Sequence, residues 1–170
     1  YLRDVKSDAL WSNTWQPTRK PTKSYEAIFT QARAEYRRTD DQIATYTQIG
    51  VSPEDDIELR RVTLTNRSER PRTIEVTSYA EVVLALPAAD ALHPAFSNLF
   101  VQTEIIRERQ AILSTRRGRS QDEHAPWAFH LMAVRGPHSG EISYETDRLQ
   151  FIGRGRTLAA PQALDHSGPL

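Results

Sequence analysis

The feature that most constrains this chain is a strict two-residue alternation running from Thr73 to Leu84. Ile74, Val76, Ala80, Val82 and Leu84 share one parity, whereas Thr73, Glu75, Thr77 and Glu81 take the other. A side-chain period of two belongs to an extended strand with one face toward a core. A helix would repeat its apolar set at spacings of three and four. The alternation therefore predicts a strand over 73–84, with Ile74, Val76, Val82 and Leu84 pointing inward. Just upstream, Ile57 and Leu59 are odd-numbered but Val62 and Leu64 are even. A β-bulge near Arg60-Arg61 would keep both pairs on one face. Asn66 to Pro71 supplies polar turn chemistry, so 56–84 reads as one long antiparallel hairpin.

Further strands are expected over Tyr25 to Arg37, Ile43 to Val51, Phe100 to Ile105, Ala111 to Arg116, Trp127 to Val134 and Ile142 to Tyr144. These stretches are rich in β-branched and aromatic residues. Turn-type segments separate them: Thr39-Asp40-Asp41, Ser52-Pro53-Glu54-Asp55 and Gly136-Pro137-His138-Ser139-Gly140. One brief helix is expected around Pro94 to Leu99. Gln16 to Thr22 is a loop too short to be a domain linker, and no repeat or heptad is present. The expectation is one all-β domain across residues 1–170, built as packed antiparallel sheets.

Composition removes several function classes. The 170 residues suit one domain, and 22 basic residues balance 22 acidic ones. A nucleic-acid binder usually carries a basic excess, so none is expected as a partner. Arginine outnumbers lysine 19 to 3, which favours planar, hydrogen-bonded ion pairs. The absence of cysteine excludes disulfides, thiol catalysis and cysteine-bearing zinc sites. The five histidines lack metal-ligand spacing, so no metal site is expected. No apolar run approaches the roughly 18–20 residues of a membrane helix, so this segment should not insert directly into a bilayer. No nucleophile elbow, P-loop or dinucleotide fingerprint occurs, and no two carboxylates stand out as a glycosidase pair. No catalytic residue is assigned. The start at Tyr1-Leu2-Arg3-Asp4, without methionine, reads as an excerpt of a longer polypeptide.

Three groups of residues carry chemistry worth weighing. Asp90, His93, Phe96 and Asn98 lie on a connection between two strong strands, a common setting for a binding site. The plainer reading is that Asp90 caps a short helix and His93 bonds locally. Arg116-Arg117-Gly118-Arg119 and Arg154-Gly155-Arg156 suit phosphate or an anionic sugar; the plainer reading pairs them with Asp122, Glu123, Glu145 or Asp147. Trp11, Trp15 and Trp127 suit either sugar stacking or a sheet core. Core is the expectation for Trp127, which lies on a strand, while Trp11 and Trp15 flank a proline-bearing loop.

Four stretches are specific enough to resemble a family: Val51 to Asn66, Thr77 to Leu84, His93 to Val101 and Glu145 to Arg156. In this order they resemble the phosphorylase-like region of bacterial cyclic β-1,2-glucan synthases, in glycoside hydrolase family 94. Cellobiose and chitobiose phosphorylases are similar but more distant. The resemblance implies an antiparallel β-supersandwich of two packed twisted sheets, incomplete at its C-terminus. It further implies an (α/α)6 barrel in the same parent chain, which would carry the general-acid Asp and take inorganic phosphate as co-substrate, with no cofactor. This segment would then be a non-catalytic, carbohydrate-binding accessory domain, and the parent a membrane protein at the cytoplasmic side of the bacterial inner membrane. The parent's phosphorylase module would act on β-1,2-glucan chains and set their length. Expected partners are the barrel, a β-glucan oligosaccharide and a second copy as a homodimer. In related phosphorylases a loop of the β domain reaches the acceptor side of the pocket. By that resemblance Asp90, His93, Phe96, Ser97 and Asn98 are candidate acceptor-side residues, although His93-Pro94-Ala95-Phe96 replaces an Arg-bearing pattern. Two alternatives stay open: a freestanding carbohydrate-binding module, and a purely structural or dimerising sandwich.

Overall fold

A computed structural model describes residues 1–93, 95, 99–118 and 124–170. The fold is all-β and antiparallel, with ten strands among the described residues arranged in three sheets. Two compact units are present: residues 1–77 with 148–168, and residues 78–147 with 169–170.

The first unit is built on a four-stranded meander of β3 (Ser24–Phe29), β4 (Ala34–Asp40), β5 (Ile43–Val51) and β6 (Glu58–Asn66), in that spatial order. The stretch expected as one strand from Tyr25 to Arg37 is two, because Thr30 to Arg33 turn back with the Thr30 N–H donating to the Arg33 carbonyl at 3.0 Å. The β4–β5 turn is shorter than expected. Asp40 is still on the ladder, opposite Ile43, and Asp41 and Gln42 take φ of 42° and 66°. Two consecutive positive φ values are what a tight two-residue hairpin matched to strand twist requires.

The expected long hairpin of 56–84 is not formed. β6 pairs with β5 in unbroken register from Val51 opposite Glu58 to Ile43 opposite Asn66, which leaves no room for a bulge at Arg60-Arg61. Leu59 accordingly faces away from Val62 and Leu64 and is 69% exposed. The alternating segment contributes only a short strand, β7 (Ile74–Val76), paired with the three residues of β1 (Leu2–Asp4) rather than with β6. Residues 77–84 lie off any ladder. Period two records extended backbone and a favoured face, but a strand also needs a partner, and β1 ends in a turn. There the Asp4 carboxylate accepts the N–H groups of Lys6 at 2.8 Å and Ser7 at 3.0 Å. Ile74 packs against the core as expected. Val76 is exposed and Val82 and Leu84 are only half-buried, so they do not form the inward face expected of them.

β2 (Leu10–Trp11) completes the sheet on the other side of β1. Leu2 and Trp11 of this sheet meet Ile43 of the meander in the core, with Ala9, Leu64 and Ile74 packed around them. The burial of Ile43, Thr45 and Thr47 on β5 shows which face of the meander turns inward. Opposite them on β4, Arg38 and Asp40 are also buried. The Arg38 guanidinium grips Asp40 through two bonds of 2.6 and 2.8 Å and donates to the carbonyls of Thr14 at 2.8 Å and Lys20 at 3.2 Å. A buried charge is tolerated only when paired and hydrogen-bonded in this way. A short helix, α2 (Arg148–Ile152), brings Phe151 and Ile152 into this unit. It stops at Gly153, whose φ of 88° and N–H bond to the Leu149 carbonyl at 2.8 Å form a left-handed C-terminal cap.

The second unit holds a helix, α1 (Pro87–Leu92), and a three-stranded sheet. Its strands are β8 (Val101–Ile106), β9 (Ala111–Arg116) and β10 (Trp127–Leu131), with β9 in the centre. Ile142 to Tyr144, expected as a strand, carries no ladder.

Candidate functional site

The segment singled out by sequence sits at α1. The helix begins one residue after Leu86, with Pro87 in the first turn, where a missing N–H costs nothing. The Leu86 carbonyl accepts the N–H groups of Ala89 at 2.9 Å and Asp90 at 3.1 Å. Asp90 is therefore a half-buried residue of the first turn rather than the cap, and no side chain caps this end. Its carboxylate still complements the positive end of the helix. His93 closes the helix, its N–H donating to the Ala89 carbonyl at 3.3 Å, and its ring is exposed. Phe96, Ser97 and Asn98 lie outside the described residues. The expected helix over 94–99 largely falls there too; the described helix is seven residues earlier.

The arginine clusters are spoken for in part. Arg156 makes a bidentate pair with Asp165, both bonds 2.6 Å, so its partner is neither Glu145 nor Asp147. The guanidinium groups of Arg116 and Arg117 lie 6.0 and 5.8 Å from the Phe100 ring centroid, an arrangement that holds cations against an aromatic face. Arg119, Asp122 and Glu123 lie outside the described residues.

A charged network that sequence reading did not single out occupies the outward face of the meander. Glu35 is buried beneath its neighbours. It accepts the Tyr46 hydroxyl at 2.8 Å, faces Arg33 Nε at 2.5 Å, and lies 3.5 Å from Arg37 Nη2. Arg37 also reaches Glu26 at 3.4 Å and covers the Tyr46 ring at 5.3 Å. The Tyr46 hydrogen bond, then Arg33 and Arg37, hold the Glu35 carboxyl below the usual carboxylate range despite burial. A carboxylate fixed in its ionised form is a poor general acid. The signal for this cluster is the alternation Arg33, Glu35, Arg37, which places two charges on the outward face of β4 and a third in the turn just before it. Beside it lies a depression of about 310 Å³, whose walls include Ser24, Glu26, Thr39, Thr65 and Arg67.

The tryptophans separate cleanly. Trp11 is buried in the first unit's core, and Trp15 is 44% exposed. Trp127, expected in the core, is instead 62% exposed, because β10 is an edge strand and its odd-numbered face is uncovered. Phe129 and Leu131 follow it on that face at 61% and 52% exposure. Opposite them across β9 and β8, in register, come Thr115 and Gln102, Leu113 and Glu104, Ala111 and Ile106. The alternate residue His130 turns to the other face, 2.6 Å from the Ser78 hydroxyl. Among the described residues, no group of three or more acidic or histidine side chains is placed to hold a metal ion. No helix there is long and apolar enough to cross a membrane.

Residues 1–170 match the family model described as glycosyl hydrolase 94, supersandwich domain. Over all 170 residues the sequence is 38% identical to the cyclic beta-(1,2)-glucan synthase NdvB of Rhizobium meliloti (strain 1021), of which it spans 6%. It is 26% identical over 153 residues to the solabiose phosphorylase of Paenibacillus borealis, covering 90% of this chain and 19% of that one. A third relative, the 3-O-beta-D-glucopyranosyl-beta-D-glucuronide phosphorylase of the same organism, is 30% identical over 76 residues, 45% of this chain and 10% of its own length. The chain thus spans less than a fifth of each relative.

Proposed function

The chain belongs to the glycosyl hydrolase 94 supersandwich-domain family, and from that premise we propose that it is the non-catalytic, carbohydrate-binding accessory domain of a cyclic β-1,2-glucan synthase-type protein. The observation that carries this reading is the 38% identity to NdvB over an alignment that covers all 170 residues. In this reading residues 1–170 act as a single functional domain that docks on a catalytic (α/α)6 barrel of the same parent chain. The barrel takes inorganic phosphate as co-substrate and needs no other cofactor. The parent acts on β-1,2-glucan chains, limits their length, and works at the cytoplasmic side of the inner membrane.

The α1 segment supplies the acceptor-side contact, with Asp90 and His93 as its described members and Phe96, Ser97 and Asn98 beyond them. An exposed imidazole at a helix end can hydrogen-bond a sugar hydroxyl at little cost in desolvation. The ionised state of Glu35 supports a non-catalytic role for that carboxylate, since protonating a glycosidic oxygen requires a raised pKa.

The test combines binding with turnover. The purified chain should bind linear β-1,2-glucooligosaccharides yet release no glucose 1-phosphate from them in phosphate buffer, whereas the full parent protein should release it. Release above background by the 170-residue chain, or no affinity for the oligosaccharides, would overturn the reading.

A further inference from the structure

We infer that the uncovered face of β10, led by Trp127 and Phe129, is a stacking platform for the sugar rings of a β-linked glucan. This inference rests on the carbohydrate-binding reading above and locates it. Edge strands normally protect themselves with charge, proline or a covering element. β10 instead turns Trp127, Phe129 and Leu131 to solvent, at 62%, 61% and 52% exposure. Residues two apart on a strand lie about 6.8 Å apart on the same face, so the two rings form a short linear track rather than a knob.

The chemistry of the face changes across the sheet. Two strands away, roughly 10 Å across, Gln102 and Glu104 occupy the same face in register with Trp127 and Phe129, and both are exposed. An apolar aromatic track bordered by an amide and a carboxylate matches a pyranose, whose C–H face is apolar and whose equatorial hydroxyls donate and accept at the rim. The exposed Glu104 carboxylate on this face departs from the charge-depleted centre of a protein interface. The depression beside Glu26 and Thr65 is a weaker sugar site, because the Tyr46 ring next to it is covered by Arg37.

The test is titration of linear β-1,2-glucooligosaccharides into the intact protein and its Trp127→Ala, Trp127→Phe and Phe129→Ala variants, with the melting temperature of each recorded. Trp127→Ala and Phe129→Ala should each weaken binding roughly tenfold with little change in melting temperature, and Trp127→Phe should restore most of the affinity. Wild-type binding that Trp127→Ala leaves unchanged would overturn the platform while leaving the accessory-domain reading intact. A melting temperature lowered by several degrees, or a dimer lost on Trp127→Ala, would show that protein covers the ring and would overturn it as well. Failure of the wild-type protein to bind would remove the carbohydrate reading itself, and the platform with it.

Discussion

Replacing Asp40 by Asn isolates what the buried ion pair of β4 contributes. The Arg38 side chain is fully buried and that of Asp40 is 5% exposed. Asn keeps the shape and one acceptor but removes the counter-charge, leaving a buried guanidinium with no compensating charge. Besides that one amide oxygen, its partners are the carbonyls of Thr14 and Lys20. Breaking one side of a buried pair costs about 3–5 kcal/mol. With a urea m value near 2 kcal/mol/M, the unfolding midpoint should fall by roughly 2 M. The probe should be Trp11 fluorescence in a background where Trp15 and Trp127 are Phe, because Trp11 reports the core of the same unit. The double variant Arg38→Met/Asp40→Leu should regain much of the loss, since an apolar pair removes the stranded charge. Recovery should stay incomplete because two loop carbonyls lose their donor. A midpoint shift under about 0.5 M for Asp40→Asn, some 1 kcal/mol, would refute the claim that this charge is desolvated.

Other expectations follow from single contacts. Ile43→Ala, in the centre of the first unit's core, should cost about 2–5 kcal/mol in the same urea assay. Gly153→Ala should cost about 2–3 kcal/mol, because φ is 88° and a new Cβ would sit 2.6 Å from Gln162 Cβ. Asp4 supplies a pH test: burial pushes its carboxyl up, but the Ser7 and Lys6 N–H groups and Arg72 outweigh that and hold it below its ordinary value. A depressed native pKa gives stability that is present above about pH 4 and lost as pH falls through the native value. Asp4→Asn should therefore flatten the acid side of a stability-versus-pH curve. His93→Ala in the parent protein should change the oligosaccharide KM or kcat/KM by about 2- to 12-fold, the loss of one hydrogen bond, with an unchanged Tm; a lowered Tm with normal kinetics would mean that His93 only braces the next strand.

Strand existence was legible where the local pattern and a neighbouring strand agreed. Ile43–Val51 and Ala111–Arg116 match their expected bounds because each is a central strand with partners on both sides. The strongest alternation, 73–84, was the poorest guide to length, because its partner β1 is far away in sequence and only three residues long. Parity at 57–64 suggested a bulge only on the premise that all four apolar residues share a core. Leu59 is on an edge strand and carries no such obligation. The excess of arginine over lysine did foretell arginine pairing, yet not which acids answer: Arg38 meets Asp40 two residues away, and Arg72 meets Asp4 across 68 positions. Trp127 was misjudged because lying on a strand does not say whether that face of the sheet is covered.

The closure of the first unit has a consequence for the order in which it assembles. Every pairing within the meander joins strands consecutive in sequence, through turns of two to six residues. Such local contacts require little loop closure, so they form early. β1 must wait for β7, linking residue 2 to residue 76, and the Arg3 guanidinium reaches its acceptor only when Leu164 arrives. On a ribosome, the meander can therefore be complete while β1 has only β2 beside it and its other edge is open. Ile74, which packs beside Leu2, Trp11 and Ile43, joins that core only when translation has passed residue 76. The 19 arginines against three lysines gain a second meaning in that interval: geometrically demanding ion pairs can sort the late joins by fit as well as by charge.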